Sequence, residues 1–342
     1  MSSLPTLSVL MPNYNHAHFL PVALQAILDQ SIQPEEILIV DDASTDESVR
    51  IIEEFMRRHD HFRLTVLERN RGPISNMKFM LEQASGEYVC GAAADDMVLP
   101  GFFEKSLERL KQFPQAAFSV SLAQRMDKDG KREGVTPCPL ACKEPCFLEP
   151  QEIRKYLRGY GNWIMGNTVI YRRDALLAAG GFIPELHSFC DGFICQVLAR
   201  RHGVVYLPEE LGAFRYLDDN YSKLTFQDVE RWREVADLAV EFMQSPKYRG
   251  LFADDYIRYW GKMQKFRMSL NSLKSLERES ETILDQFRQI EPVPRFVDTL
   301  GKAIFRLGVR VHVVAMTVFF SVRYCSWLAL KQFLYQVLRK ER

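Results

Sequence analysis

The chain has 342 residues, 47% of them hydrophobic and 26% charged, with a formal net charge of zero. Such a composition describes an ordinary folded protein with a sizeable core; a net charge of zero by itself says little about partners, and no nucleic-acid partner is expected. Seven cysteines, an odd number without a C-x-x-C pair, exclude a disulfide framework and a zinc spacing and read as reduced thiols of a cytosolic compartment. No basic stretch followed by an apolar one precedes the first strand, so no secretory signal is expected.

In chain order, apolar runs bounded by turn residues predict strands over 7–11, 36–40, 62–67 and 88–93. Segments of helical period follow each of them, over 21–29, 46–59, 74–84 and 100–113. This alternation predicts a doubly wound, mostly parallel sheet covered on both faces, with ligands beyond the carboxyl ends of its strands. A further strand is expected over 116–125 and a loop over 126–150. Next come a strand over 168–171, a short helix over 174–179 stopped by Gly180-Gly181, a helix over 188–202 and a last strand over 204–207. Helical patterns dominate from 228 onward (228–243, 251–273 and 275–290), until Pro292 and Pro294 interrupt the chain.

Three of the early strands end in polar clusters: Pro12-Asn13-Tyr14-Asn15, Asp41-Asp42 and Asp95-Asp96. A carboxylate pair at a strand end, preceded by small residues (Ala92-Ala93-Ala94), suits a divalent cation carrying a diphosphate. Asp95-Asp96 could equally cap the helix that follows, and Ser44 or Thr45 could cap the helix after Asp41-Asp42, which still leaves two adjacent aspartates unexplained. Two acidic pairs at neighbouring strand ends repel unless a cation or hydrogen-bond donors lie between them. Tyr14 offers an aromatic face to a base, and Arg69-Asn70-Arg71-Gly72-Pro73 offers cations to phosphate or is simply a turn. Asp191 opens an apolar helical stretch, as a cap or as a carboxylate placed to take a proton from an attacking hydroxyl.

Taken together, these residues resemble the family 2 glycosyltransferases of GT-A fold. The resemblance runs from Leu7 to Ser222 through Ser8-Val9-Leu10-Met11-Pro12-Asn13-Tyr14-Asn15, Val40-Asp41-Asp42-Ala43-Ser44-Thr45-Asp46, Ala84-Ser85-Gly86-Glu87-Tyr88 and Ala94-Asp95-Asp96. Gly180-Gly181-Phe182 with Asp191, and Phe214-Arg215 with Asn220 and Ser222, continue it. It implies an inverting, non-processive transferase that moves one sugar from a nucleotide-diphosphate sugar, UDP preferred, to an acceptor hydroxyl. In that reading Pro12, Asn13, Tyr14, Asp42, Asn70, Lys78 and Asp95 hold the nucleotide sugar. Asp96, with Asp95, holds Mg²⁺ or Mn²⁺, and Asp191 is the catalytic base. Leu217 stands where family members often carry a histidine, and Lys78 where an asparagine is frequent. The Gln-x-x-Arg-Trp signature of processive members is absent.

The expected organisation is a catalytic domain over 1–226, a helical extension over 227–295 and a basic amphipathic tail over 296–342. From Gly301 onward eight cations face one anion, a net +7. The apolar run from Val311 to Val322 would span about 18 Å as a helix, short of a bilayer core of about 30 Å. The tail therefore reads as an interfacial helix on an anionic membrane surface, with packing on the catalytic domain or in a homodimer as its alternative. The membrane reading implies a lipid-linked glycan or surface-polysaccharide acceptor, and a peripheral position at the inner face of the cell membrane. Two rivals stand beside it. A nucleotidyltransferase would place a glycine-rich basic loop after the first strand, unlike Pro12-Asn13-Tyr14-Asn15-His16, and a catalytically silent sugar-nucleotide binder would not need Asp191.

Overall fold

The computed structural model describes residues 4–272, except 137–139, 161–163, 165, 218–219, 222–224 and 226. The chain divides into two compact units, Met1–Leu157 with Asn162–Asn220, and Arg158–Gly161 with Tyr221–Arg342.

The first unit is built on one sheet. Its first half alternates β1 (Leu7–Asn13), α1 (Leu20–Leu28), β2 (Glu36–Asp41), α2 (Ser48–Met56), β3 (Phe62–Val66), α3 (Pro73–Gln83) and β4 (Tyr88–Gly91). After β4 come β5 (Met97–Val98), α4 (Phe102–Gln112), β6 (Phe118–Met126), β7 (Arg132–Val135), β8 (Cys146–Leu148) and α5 (Pro150–Tyr160). A 3-10 turn (Gly166–Thr168) leads into β9 (Val169–Arg172), α6 (Arg173–Ala179), α7 (Cys190–His202) and β10 (Val204–Arg215). The strand order is β3-β2-β1-β4-β9-β6-β10-β5, with β7 on β6 and β8 on β10. β1, β2, β3 and β4 pair in parallel, as do β6 and β10, while β9 runs antiparallel between β4 and β6. The sheet is thus mostly parallel along its central path, with β9 as a reversed insert.

Burial on both faces explains the unbroken apolar strands. All six residues of β2 are buried. Leu7, Val9, Met11, Ile37, Ile39, Tyr88 and Cys90 pack with Leu20, Leu24 and Ile27 of α1, Ile52 of α2 and Phe102 and Leu107 of α4. The alternate residues Leu10, Leu38, Val40 and Val89 point to the opposite face, where α3 lies against β1 and β2. At the amino-terminal foot of the sheet, Glu36 is buried and accepts hydrogen bonds from Ser8 Oγ (2.8 Å), Ser85 N (2.7 Å) and Ser85 Oγ (2.8 Å). Ser8 Oγ in turn accepts from Gly86 N (2.9 Å), so the Ala84-Ser85-Gly86 turn is fastened to β1 and β2. A methyl group on Gly86 would lie 2.7 Å from Ser8 N and Oγ.

Several expectations are corrected. The presumed loop over 126–150 carries β7 and β8, and the last strand does not stop at Leu207. β10 continues to Arg215 through register shifts at Leu207/Glu210 and Glu210/Gly212, because bulges let the strand absorb Pro208-Glu209-Glu210 without leaving β6. α5, absent from the sequence reading, buries Ile153 and Leu157, four residues apart, behind a charged face. Neither Ser44 nor Thr45 caps α2. Glu47 holds the N-cap position, and Ser44 Oγ instead accepts from Asn15 N (2.9 Å). Nor do Asp95-Asp96 cap α4, whose N-cap is Gly101. The reading of every cysteine as a reduced thiol also fails: Cys142 and Cys146 are joined in a disulfide that closes a short loop before β8, whereas Cys90, Cys190 and Cys195 are free and buried. The expected stop of α6 does occur, with Gly180 at φ 108° donating to Leu176 O and Leu177 O.

The second unit is described as far as Ser272 and contains α8 (Val229–Gln244) and α9 (Asp254–Ser272). Asp228 caps α8 by accepting from Arg231 N (3.1 Å), and Trp232, Val235, Ala236, Ala239 and Met243 make its buried stripe. Trp232 Nε1 donates to Gln264 Oε1 of α9 (3.3 Å). The helix expected over 275–290 and the basic tail lie outside the described residues. Among the described residues no helix is long and apolar enough to cross a membrane.

Candidate functional site

The carboxyl ends of β1 and β2 are locked together side by side. Asn13 and Asp41 are register partners, and Asn13 Nδ2 donates to Asp41 Oδ2 (2.7 Å), while Asp41 Oδ1 accepts from Ser44 N (2.9 Å). Asn15, at φ 54°, accepts from Thr45 N at its Oδ1 (2.8 Å). Pro12 and Asn13 therefore act as framework, and between the fixed asparagines Tyr14 is 45% exposed.

Asp42 is buried, and both its oxygens are engaged: Oδ1 accepts from Arg71 N (2.8 Å) and Oδ2 from Gly72 N (2.9 Å). It is the clasp that brings the Arg69-Asn70-Arg71-Gly72 loop to the end of β2. Asn70 Oδ1 also accepts from Gly72 N (3.0 Å), and Gly72 takes φ 85° before Pro73 opens α3. Lys78 lies exposed one turn into α3.

The second acidic pair divides its work. Asp96 is buried, with Oδ1 accepting from Arg215 N at the end of β10 (2.9 Å) and Oδ2 from Asn167 Nδ2 (3.1 Å). Burial, and then the neighbouring Asp95, raise its pKa well above the usual carboxylate value. Asp95 is only half-buried, and among the described residues its carboxylate has one polar partner, Asn220 Nδ2 at 3.5 Å. Its backbone carbonyl accepts from Arg215 Nε (2.8 Å). The buried Arg215 guanidinium also donates to Asp127 O (3.1 Å) and Lys128 O (2.8 Å) and lies 4.6 Å over the Phe19 ring, so one side chain ties β10, the acidic turn, the β6–β7 turn and the approach to α1.

Asp191 sits in the first turn of α7, where its Oδ1 accepts from Gly192 N (2.6 Å). Burial raises its pKa, against the lowering effect of the Gly192 amide. The turn that carries Asn167 also reaches this carboxylate: a methyl group at Gly166 would lie 2.5 Å from Asp191 Oδ2. The dipeptide Gly166-Asn167 therefore touches Asp191 with one residue and Asp96 with the next. Asp95, Asp96 and Asp191 share one region of the molecule, while Asp42, Asn13 and Tyr14 crown the strands beside β4. Arg215 and Asn220 enter the sequence reading only through the family pattern. What gives them a place in the site is hydrogen bonding over 119 and 125 residues of chain, which no local signal reports.

No cluster of three or more His, Cys, Asp or Glu occurs among the described residues. A Mg²⁺-like ion needs only one or two carboxylates when substrate phosphates and water complete its shell, and the half-exposed Asp95 carboxylate meets that need. Leu217 contributes no ligand atom in place of the histidine, and its amide donates to Asn220 Oδ1 (2.6 Å). Asp218, which the sequence offers as a substitute for that histidine as a metal ligand, lies outside the described residues.

A mostly parallel sheet with a reversed β9, acidic strand ends and a carboxylate beyond them define the GT-A class of fold. Residues 8–176 match the model of the family "Glycosyl transferase family 2". Among curated relatives, the amylovoran biosynthesis glycosyltransferase AmsE of Erwinia amylovora is 24% identical over 218 residues, 63% of this chain and 78% of that protein. The chain spans about half the length of the first curated relatives it matches, 44% and 58% of two of them. Among solved structures, S. aureus TarS 1-349 in complex with UDP-GlcNAc superposes with a TM-score of 0.60 at 17% identity, covering 94% of this chain and 93% of that one. The mannosyltransferase PcManGT from Pyrobaculum calidifontis, in complex with GDP-Man and Mn²⁺, gives 0.55 at 16% identity, covering 93% and 87%. At these identities the two structures speak for the fold.

Proposed function

We propose that this chain is an inverting, non-processive family 2 glycosyltransferase. It moves a single hexosyl or N-acetylhexosaminyl unit from a nucleotide-diphosphate sugar, UDP preferred, to a hydroxyl of a lipid-linked glycan or surface-polysaccharide precursor. The observation that carries this reading is that the Gly166-Asn167 turn touches the acidic pair at Asp96 on one side and the half-buried Asp191 carboxylate on the other, with the Asp95 carboxylate beside Asp96 left half-exposed. The similarity to TarS, which binds UDP-GlcNAc, to PcManGT, which binds GDP-Man, and to the amylovoran biosynthesis glycosyltransferase AmsE supports the donor class and the polysaccharide setting.

Asp95, rather than Asp96, is assigned the direct contact with Mg²⁺ or Mn²⁺, because both oxygens of Asp96 already receive protein N–H groups. Such an ion, when bound, neutralises charge developing on a departing diphosphate. Tyr14 stacks on the base, Asp42 holds the loop that carries Asn70 against it, and Lys78 faces phosphate. Asp191 takes the acceptor hydroxyl proton as the acceptor oxygen bonds to the anomeric carbon. The carbon–oxygen bond to the diphosphate breaks with its electron pair on the leaving group, and the configuration inverts. A carboxylate whose pKa burial has raised is a better base for this step. The nucleotidyltransferase alternative lacks the glycine-rich basic loop and the family match. The silent-binder alternative leaves the placement of Asp191 without a use.

The test is release of nucleoside diphosphate when the protein is mixed with UDP-, GDP- or dTDP-sugars, Mn²⁺ and a membrane fraction, with product configuration read by NMR. Inverted product supports the reading. No release from any sugar, or a retained configuration, overturns it. A cytoplasmic position at the inner membrane face is proposed from the basic tail and the acceptor class alone, since the cysteine argument no longer supports it.

A further inference from the structure

Gly166 and Asn167 are adjacent in sequence, yet they touch two different acidic groups. Asn167 Nδ2 donates to Asp96 Oδ2 (3.1 Å), while its buried Oδ1 has no partner among the described residues. Gly166 faces Asp191 so closely that a methyl group there would lie 2.5 Å from Oδ2. The next residue anchors the pair from below: Thr168 is buried and its Oγ1 donates to Ser121 O of β6 (2.8 Å). β10 makes room for this turn, because a methyl group on Gly212 would lie 2.6 Å from Thr168 Cγ2. Asp96 is held from its other side by Arg215 N of β10 (2.9 Å). The turn is thus fixed by two strands and presents one residue to each carboxylate.

Resting on the transferase reading above, we propose that Gly166 and Asn167 are positioning residues which together set the place of the base relative to the acidic turn. Asn167 fixes Asp96, and through it the backbone that presents Asp95. Gly166 sets how far the Asp191 carboxylate advances toward the acceptor. Neither residue needs to touch the reacting atoms. Gly166 does not require a left-handed backbone, since its φ lies outside that region. Gly166→Ala therefore adds a methyl group against a movable carboxylate end and displaces the base rather than unfolding the turn.

The experiment measures kcat, the KM for the nucleotide sugar and the half-saturating Mn²⁺ concentration in wild type, Gly166→Ala and Asn167→Ala, with Tm as the folding control. Gly166→Ala should lower kcat by about 100-fold, the loss typical of a reacting group misplaced by about 1 Å, with the KM and the Mn²⁺ requirement unchanged. Asn167→Ala should do the opposite, raising the Mn²⁺ requirement and KM several-fold while kcat at saturation stays within about threefold. Asn167→Ser, which keeps a donor on a shorter side chain, should recover part of that loss. If Gly166→Ala matches wild type, or if both variants change kcat and KM alike, the inference falls while the transferase reading stands. A wild type that turns over no nucleotide sugar removes both.

Discussion

Asp95 and Asp96 are neighbours of identical chemistry, and their surroundings separate them. One carboxylate is buried and accepts from Arg215 N and Asn167 Nδ2, and the other has a single long contact among the described residues. Asp95→Asn should therefore abolish the Mn²⁺-dependent part of the thermal shift that UDP produces. Asp96→Asn should lower Tm and raise the Mn²⁺ concentration that this shift requires, without abolishing the shift. A buried acceptor set replaced by a mismatched one costs about 1–3 kcal/mol. For Asp191→Asn the expectation is intact nucleotide binding by calorimetry with turnover reduced about 10²- to 10⁴-fold, the usual contribution of a general base. Near-normal turnover in that variant would remove Asp191 from the chemistry. The acidic pairs stood out in the sequence as candidate site residues because a helix cap explains at most one aspartate. The sequence does not reveal which member of a pair faces solvent, since that depends on partners 71 and 119 residues away.

At the scale of elements, the first half of the sheet was readable because each apolar run is buried on both faces and bounded by turn residues, as β2 shows. The extension of β10 was not, since Pro208-Glu209-Glu210 breaks the apolar pattern and only a bulged register against β6 restores it. α5 was hidden by its charged face, and Ser44, which looks like a cap, serves the neighbouring strand end instead. The Glu36 knot gives a pH prediction with a definite sign. Burial alone would raise the Glu36 pKa, but hydrogen bonds from Ser85 and Ser8, with Arg63 nearby, bring it below the usual 4.5. A depressed carboxylate stabilises the fold above its unfolded pKa, and this contribution fades as pH falls through the lower folded value. Wild type should therefore exceed Glu36→Gln in Tm near neutrality, and the gap should close as the pH drops below about 4.5. Gly86→Ala should lower stability by about 1–3 kcal/mol in urea melts, because the added methyl group meets Ser8 backbone rather than a movable side chain end.

For the whole molecule, the charge asymmetry of the sequence sets the remaining test. The first 300 residues carry a net −7 and the remainder +7, so a chain ended before Pro292 should lose co-sedimentation with anionic vesicles while still hydrolysing or transferring from nucleotide sugar to a soluble acceptor. Equal vesicle binding by the shortened chain would remove the membrane role of the tail. β1 itself joins two regions of different purpose. Ser8 belongs to the hydrogen-bonded knot at one end and Asn13 to the polar strand-end cluster at the other, five residues or about 17 Å away. If the proposed function holds, the fastening of the fold and the binding of a donor are thus served from opposite ends of one strand, and substitutions around Tyr14 should alter nucleotide affinity without loosening the foot that keeps the chain folded.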